Sequence, residues 1–170
     1  MELLKEISDK TIGLGEAESF FKPYKLRKAA RAVVFDPEKR IAVLAVTKHK
    51  YHKLPGGGLE GDEEIHRALV RELLEEAGAP VEIGESLGIT IEYRDRYEQI
   101  QISYAYLAAV SGPLQNVEFT QEEIEDGFEL KWMTLGDATD RMEADDPRDY
   151  IGKYVRLRDL AILREAEKRI

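Results

Sequence analysis

The sequence predicts an α+β fold, a mixed β-sheet held between helices in an α/β/α sandwich. Three observations predict it. Two apolar runs of strand length, KAARAVVFD (28–36) and IAVLAVTK (41–48), lie close together. A Gly-rich loop, LPGGGLEGD, follows them and leads into a single amphipathic helix. After Pro80 the texture returns to period two and then closes in a long helical segment.

Each element has its own signal. Residues 36–40, DPEKR, read as a turn, because Pro37 presets its backbone dihedral, so the first two runs form a hairpin. The helix runs over residues 63–77, and Gly78 is the residue that ends it. In ESLGITIEYR (85–94) and YEQIQISYAYLAAV (97–110), apolar and other residues alternate, with Ile100, Ile102, Tyr104 and Tyr106 in phase. RDR turns between these two strands. FELKWMTL (128–135) is a further strand and LGDATDRM a short helix. From DDP onward the chain is helical, with Gly152 as a kink and Tyr154, Leu157, Ala161 and Ile162 toward the core. The first 24 residues carry no clear pattern. The chain reads as one domain over residues 1–170, with an N-terminal extension over 1–24 and a C-terminal helix over 145–170.

Composition excludes several functions. With 43% apolar residues the chain can fill one core, and no stretch nears the ~20 apolar residues of a membrane span. The start, MELLKEISDKTIG, lacks the basic-then-apolar order of a secretory signal. There is no cysteine, hence no disulfide, thiolate metal site or cysteine nucleophile. These features suit a cytoplasmic protein without a membrane partner. A net charge of -9 argues against gripping a nucleic-acid duplex. It also means that an anionic ligand needs a positive mediator.

The helix supplies a reason to expect one. At 100° per residue, Glu72, Glu75 and Glu76 share one arc, beside an apolar arc of Leu69, Val70, Leu73, Leu74 and Ala77. Like charges at this spacing cost a few tenths of a kcal/mol per pair, and they sit at the wrong end of the helix dipole. A hard cation, Mg2+ or Mn2+, relieves both costs, since it takes oxygen ligands. The four glycines of PGGGLEGD let backbone carbonyls approach such an ion from the other side.

Taken together, these residues resemble a known signature. Gly57, Glu63, Arg71, Glu72, Glu75, Glu76 and Gly78 fall at the spacing of the Nudix box, preceded by LPGG. The odds of such a match by chance are on the order of one in 10^8 per start position. Ala79 stands where a bulkier aliphatic is usual. The resemblance implies a Nudix-type sandwich with a loop-helix-loop catalytic motif. It also implies a MutT-like hydrolase that splits a nucleoside diphosphate linked to another moiety X, such as ADP-ribose, or a nucleoside triphosphate. The products are a nucleoside monophosphate and phosphorylated X. It assigns Glu72, Glu75, Glu76 and the Gly56 carbonyl to metal. Glu72 is a further ligand or the base, and Arg71 orients a glutamate. Gly57, Glu63 and Gly78 support the motif. The base sometimes lies outside the box in this family, and Glu123 or Glu125 are the candidates here.

For substrate contacts, the basic KHKYHK (48–53) offers Lys48 and His52, and Arg31 and Tyr97 are further candidates. His66 lies on the far side of the helix from the glutamates. Two alternatives share the fold: a non-hydrolytic isomerase and a ligand-binding sensor domain. The C-terminal helix and Phe20-Phe21 are candidate homodimer surfaces.

Overall fold

A computed structural model describes residues 1–15 and 23–170. Phe20 and Phe21 lie outside the described residues. The sheet is built from β1 (Leu3–Ser8), β2 (Lys25–Phe35), β3 (Ile41–Val46), β4 (Tyr51–Lys53), β5 (Val81–Arg94), β6 (Gln99–Val110) and β7 (Phe128–Met133). The helices are α1 (Ile65–Ala77), α2 (Gln121–Glu125), α3 (Leu135–Ala144) and α4 (Tyr150–Glu167). The strands run β1-β5-β6-β2-β3-β4, with β7 on β3.

The order is mixed, as expected. β1 runs parallel to β5, and β2 runs parallel to β6 over its whole length. The remaining neighbours are antiparallel. One face carries α1, with Leu69, Leu73 and Ala77 packed on Ala30, Ala32 and Val34. The other carries α3 and α4, with Met142, Leu160 and Ile162 packed on Val33, Ile41 and Val43. The sandwich therefore has two cores, one on each face of β2 and β3. Among the described residues no helix is long and apolar enough to cross a membrane.

The expected hairpin is only partly formed. Asp36 accepts the N–H groups of Glu38 and Arg40 and closes the turn. Beyond it, β2 and β3 are in register only at Phe35 and Ile41. β3 is taken instead by β7 on one side and β4 on the other. The edge of β2 that a hairpin would use goes to the Gly-rich loop. Ala32 N–H donates to the Pro55 carbonyl, Ala30 N–H to Gly57, and Leu59 N–H to Lys28. The loop is thus held as an irregular extra strand along the middle of the sheet.

A further expectation is corrected. α4 begins at Tyr150, where the Asp149 side chain accepts the Gly152 N–H and caps the helix. Gly152 is in the first turn and marks close packing, since a Cβ there would lie 2.6 Å from the Tyr51 ring. Tyr154 and Ile162 are fully buried, as expected of that helix. On β5 and β6, the stretch that faces α4 buries polar residues. Thr90, Glu92, Arg94, Gln101 and Ser103 lie under the sheet, whereas Ile100, Ile102 and Tyr104 are only half-buried. The reason is that α4 crosses the polar face of these strands with its own charged residues, Arg158 and Asp159, both buried.

Candidate active site

α1 forms without a side-chain cap and ends at Gly78, in the left-handed conformation at φ 58°. Leu69, Leu73 and Ala77 anchor it, while Val70 and Leu74 are exposed, so the apolar stripe is narrower than the helical wheel suggested. This leaves the glutamate arc facing the Gly-rich loop. Glu76 is buried, and its Oε2 accepts the Gly56 N–H at 2.6 Å. Its Oε1 accepts Lys53 Nζ at 2.7 Å. Gly56 holds φ 126°, and a Cβ on it would meet the Ala30 carbonyl oxygen at 2.2 Å. A Cβ on Gly57 would lie 2.2 Å from the Glu72 carboxylate. Two of the three glutamates therefore rest directly on the glycine backbone.

Arg71 accounts for much of the remaining charge. Its guanidinium donates to Glu63 at 3.1 Å, to Glu72 at 2.9 Å, to Glu75 at 3.3 Å and to the Gly58 carbonyl at 3.3 Å. The Glu72 carboxyl is pushed up by burial and by neighbouring Glu76, against the pull of Arg71. Among the described residues, no three acidic or histidine side chains converge as a ready metal cluster. The carboxylates are instead distributed over Lys53, Arg71 and the loop N–H. The donors are all oxygen, and the glycines leave the space that a Cβ would fill. That chemistry fits a hard divalent cation.

Beside the loop lies a cavity of about 260 Å³ walled by Arg27, Arg31, Lys53, Arg94 and Arg158, with Tyr51 at its side. Arg31 is 5% exposed and has no carboxylate partner among the described residues. It donates one N–H to the Ala30 carbonyl, and its Nε has no partner. Burial, then Arg158, pull its pKa down to about 9, which leaves it charged at neutral pH. Asp159 and Glu76 offset this only through space, so a buried Arg31 with no directly bonded carboxylate has an anionic ligand as its natural complement.

The other candidates are scattered. Lys48 pairs with Asp126 at 2.7 Å, and His52 Nδ1 meets Asp145 at 2.9 Å. Tyr97 is exposed, with its ring edge on Tyr150. Glu123 caps α2, where its carboxylate accepts the Thr120 N–H and hydroxyl. Glu125 accepts from Gln121 one turn before it. His66 stacks edge-on against Tyr106. Of the four substrate candidates, Arg31 alone lines the cationic cavity. Arg27 went unread in the sequence, though Arg27 and Arg31 share one face of β2 by period two, and Lys53 lies within the basic run 48–53 without being singled out. Arg158 carried no such signal.

A NUDIX domain profile matches residues 25–153. The chain belongs to the Nudix family. Human diphosphoinositol polyphosphate phosphohydrolase 3-beta is 30% identical over 130 residues, 75% of this chain and 76% of its own length. The mouse diphosphoinositol polyphosphate phosphohydrolase 3-alpha is 29% identical over the same shares. Among solved structures, a NUDIX hydrolase from Nitrosomonas europaea superposes with TM-score 0.61 at 14% identity, over 85% of this chain and 90% of that one. The C. elegans Ap4A hydrolase gives 0.56 at 20% identity, over 85% and 98%. With every box glutamate kept, the chain is a Nudix pyrophosphohydrolase. Nudix hydrolases generally use divalent metals.

Proposed function

We propose that this Nudix enzyme uses Mg2+ or Mn2+ to hydrolyse the diphosphate of a small molecule that carries further phosphate groups. The observation that carries this reading is Arg31, a buried guanidinium whose Nε has no partner and which no carboxylate contacts among the described residues, in a cavity walled by four other cations. A diphosphate held only by its metal would not need such a wall. The names of the relatives, diphosphoinositol polyphosphate phosphohydrolases, support it independently. A nucleoside diphosphate linked to X is the second reading, which the Nudix box favours.

In either reading Glu75, Glu76 and the Gly56 carbonyl would hold the ion. Once bound, the ion would make water more acidic and offset charge on the departing phosphate. Arg71, braced by Glu63, keeps Glu72 and Glu75 oriented. Glu72 is the base we favour, because it rests on the loop, whereas Glu123 is engaged in capping α2. Arg31 and Arg27 would receive the phosphates that are not cut. A cysteine-free chain supports a cytoplasmic place.

The test is a substrate panel with Mg2+ or Mn2+, in which both products are identified. It should contain diphosphoinositol polyphosphates, ADP-ribose, a nucleotide sugar and a dinucleoside polyphosphate. The densely phosphorylated compounds should give kcat/KM at least about tenfold above the others. A preference of that size for ADP-ribose or a nucleotide sugar would overturn the polyphosphate reading in favour of the second.

A further inference from the structure

We propose that Asp159 of α4 is a positioning residue of this site, tying the Gly-rich loop to the arginines of the cavity. Asp159 is fully buried. Its Oδ2 accepts the Leu54 N–H at 2.8 Å, at the start of LPGGG. The same carboxylate receives Arg158, Nε on Oδ1 at 2.6 Å and Nη2 on Oδ2 at 3.1 Å. One side chain therefore touches the loop through one bond and the cavity wall through two.

The connection continues beyond Arg158. Arg158 Nη1 lies 3.5 Å from Glu92 Oε1. Glu92 also accepts Arg94 Nε at 2.9 Å and Gln101 Nε2 at 3.0 Å. Gln101 in turn accepts Arg27, and the Arg27 guanidinium lies against Gly58, where a Cβ would meet Nη2 at 2.6 Å. The network thus leaves the loop at Leu54 and returns to it at Gly58. Between those points the loop is fixed from its other sides, with the Gly56 N–H on Glu76 and the Pro55 and Gly57 carbonyls on β2.

Packing alone does not call for this arrangement. A buried ion pair is often no better for stability than apolar residues of the same shape. What a carboxylate adds is direction, since each oxygen is committed to a stated partner. Asp159 also lies past residue 153, where the family match ends. The inference rests on the proposed site being where the diphosphate is cut. It does not depend on which substrate carries that diphosphate.

Asp159→Asn keeps the shape and one oxygen acceptor but loses the charge that holds Arg158. With any diphosphate that the native enzyme cuts, kcat should fall about tenfold while KM changes less than about threefold. In the substrate-free protein, the Leu54 amide should exchange with solvent about tenfold faster, while amides in the middle of β6 keep their rates. Asp159→Ala should be worse in both respects, so that Asn is a partial rescue. If the alanine variant fails to fold, the asparagine variant decides. The proposal is overturned by a native kcat, by an unchanged Leu54 amide, or by a uniform acceleration of all amides. A substrate panel that favours nucleotides would remove the polyphosphate reading and leave these two measurements as informative as before.

Discussion

Gly56 and Gly57 are neighbours that resist a side chain for different reasons. At Gly56 the obstacle is backbone, the Ala30 carbonyl at 2.2 Å, and φ is 126°. At Gly57 it is the end of a flexible side chain, the Glu72 carboxylate, also at 2.2 Å. Gly56→Ala should cost at least about 2 kcal/mol in urea unfolding, because neither strain nor contact can relax. Gly57→Ala should leave the urea midpoint near native while turnover falls about tenfold or more, because Glu72 swings away from the loop. Equal stability losses in both would contradict this division. Glu72→Gln tests the carboxylate itself. It keeps an oxygen for Arg71, so thermal unfolding should hardly move, while kcat should fall by about 100- to 1000-fold. Near-normal turnover in that variant would remove Glu72 from the chemistry.

Elements place these residues, and the β2–β3 turn shows how one acid sets a corner. Burial pushes the Asp36 carboxyl up, but the N–H and guanidinium of Arg40 and the N–H of Glu38 outweigh it, so its pKa lies below the ordinary value. A depressed folded value means that the stabilisation is complete above the unfolded value, near about 3.9. It is lost as the pH falls through the folded value. Asp36→Asn should therefore melt below the native protein at pH 7, and the difference should shrink as the pH falls below the unfolded value. A constant difference from pH 7 to pH 2 would refute the linkage. The turn matters to function because it delivers β3 away from β2 and so frees the β2 edge for the glycine loop.

For the whole molecule, legibility followed the length of chain over which a feature is written. The glutamate arc and its Gly78 stop were readable because one helix carries them, and helical geometry converts spacing into direction. The cavity was readable only in part, through Arg31, since nothing in the sequence ties Arg27 and Arg158 to one site before β2 and α4 are brought together. Period two marked β5 and β6 as strands but not which face is buried, because a buried polar surface looks like a solvated one until α4 is laid on it. β1 was also invisible. Among the described residues its only strand partner is β5, with Leu3 beside Ile89. Ile7 is fully buried against Tyr150 and Tyr154, and Asp9 accepts both tyrosine hydroxyls at 2.5 Å. Removing residues 1–9 should lower stability by at least about 3 kcal/mol in urea, from the lost Ile7 burial and the lost Asp9 bonds to the two tyrosines. An unchanged midpoint would show that this strand is dispensable. The parallel pairing has a kinetic side as well. During synthesis β1 emerges some eighty residues ahead of β5, the strand it pairs with, and no local turn can bring the two together. Docking of β1 is therefore a late, slow event that follows closure of a long loop, and until then the β5 edge stays open to any passing strand.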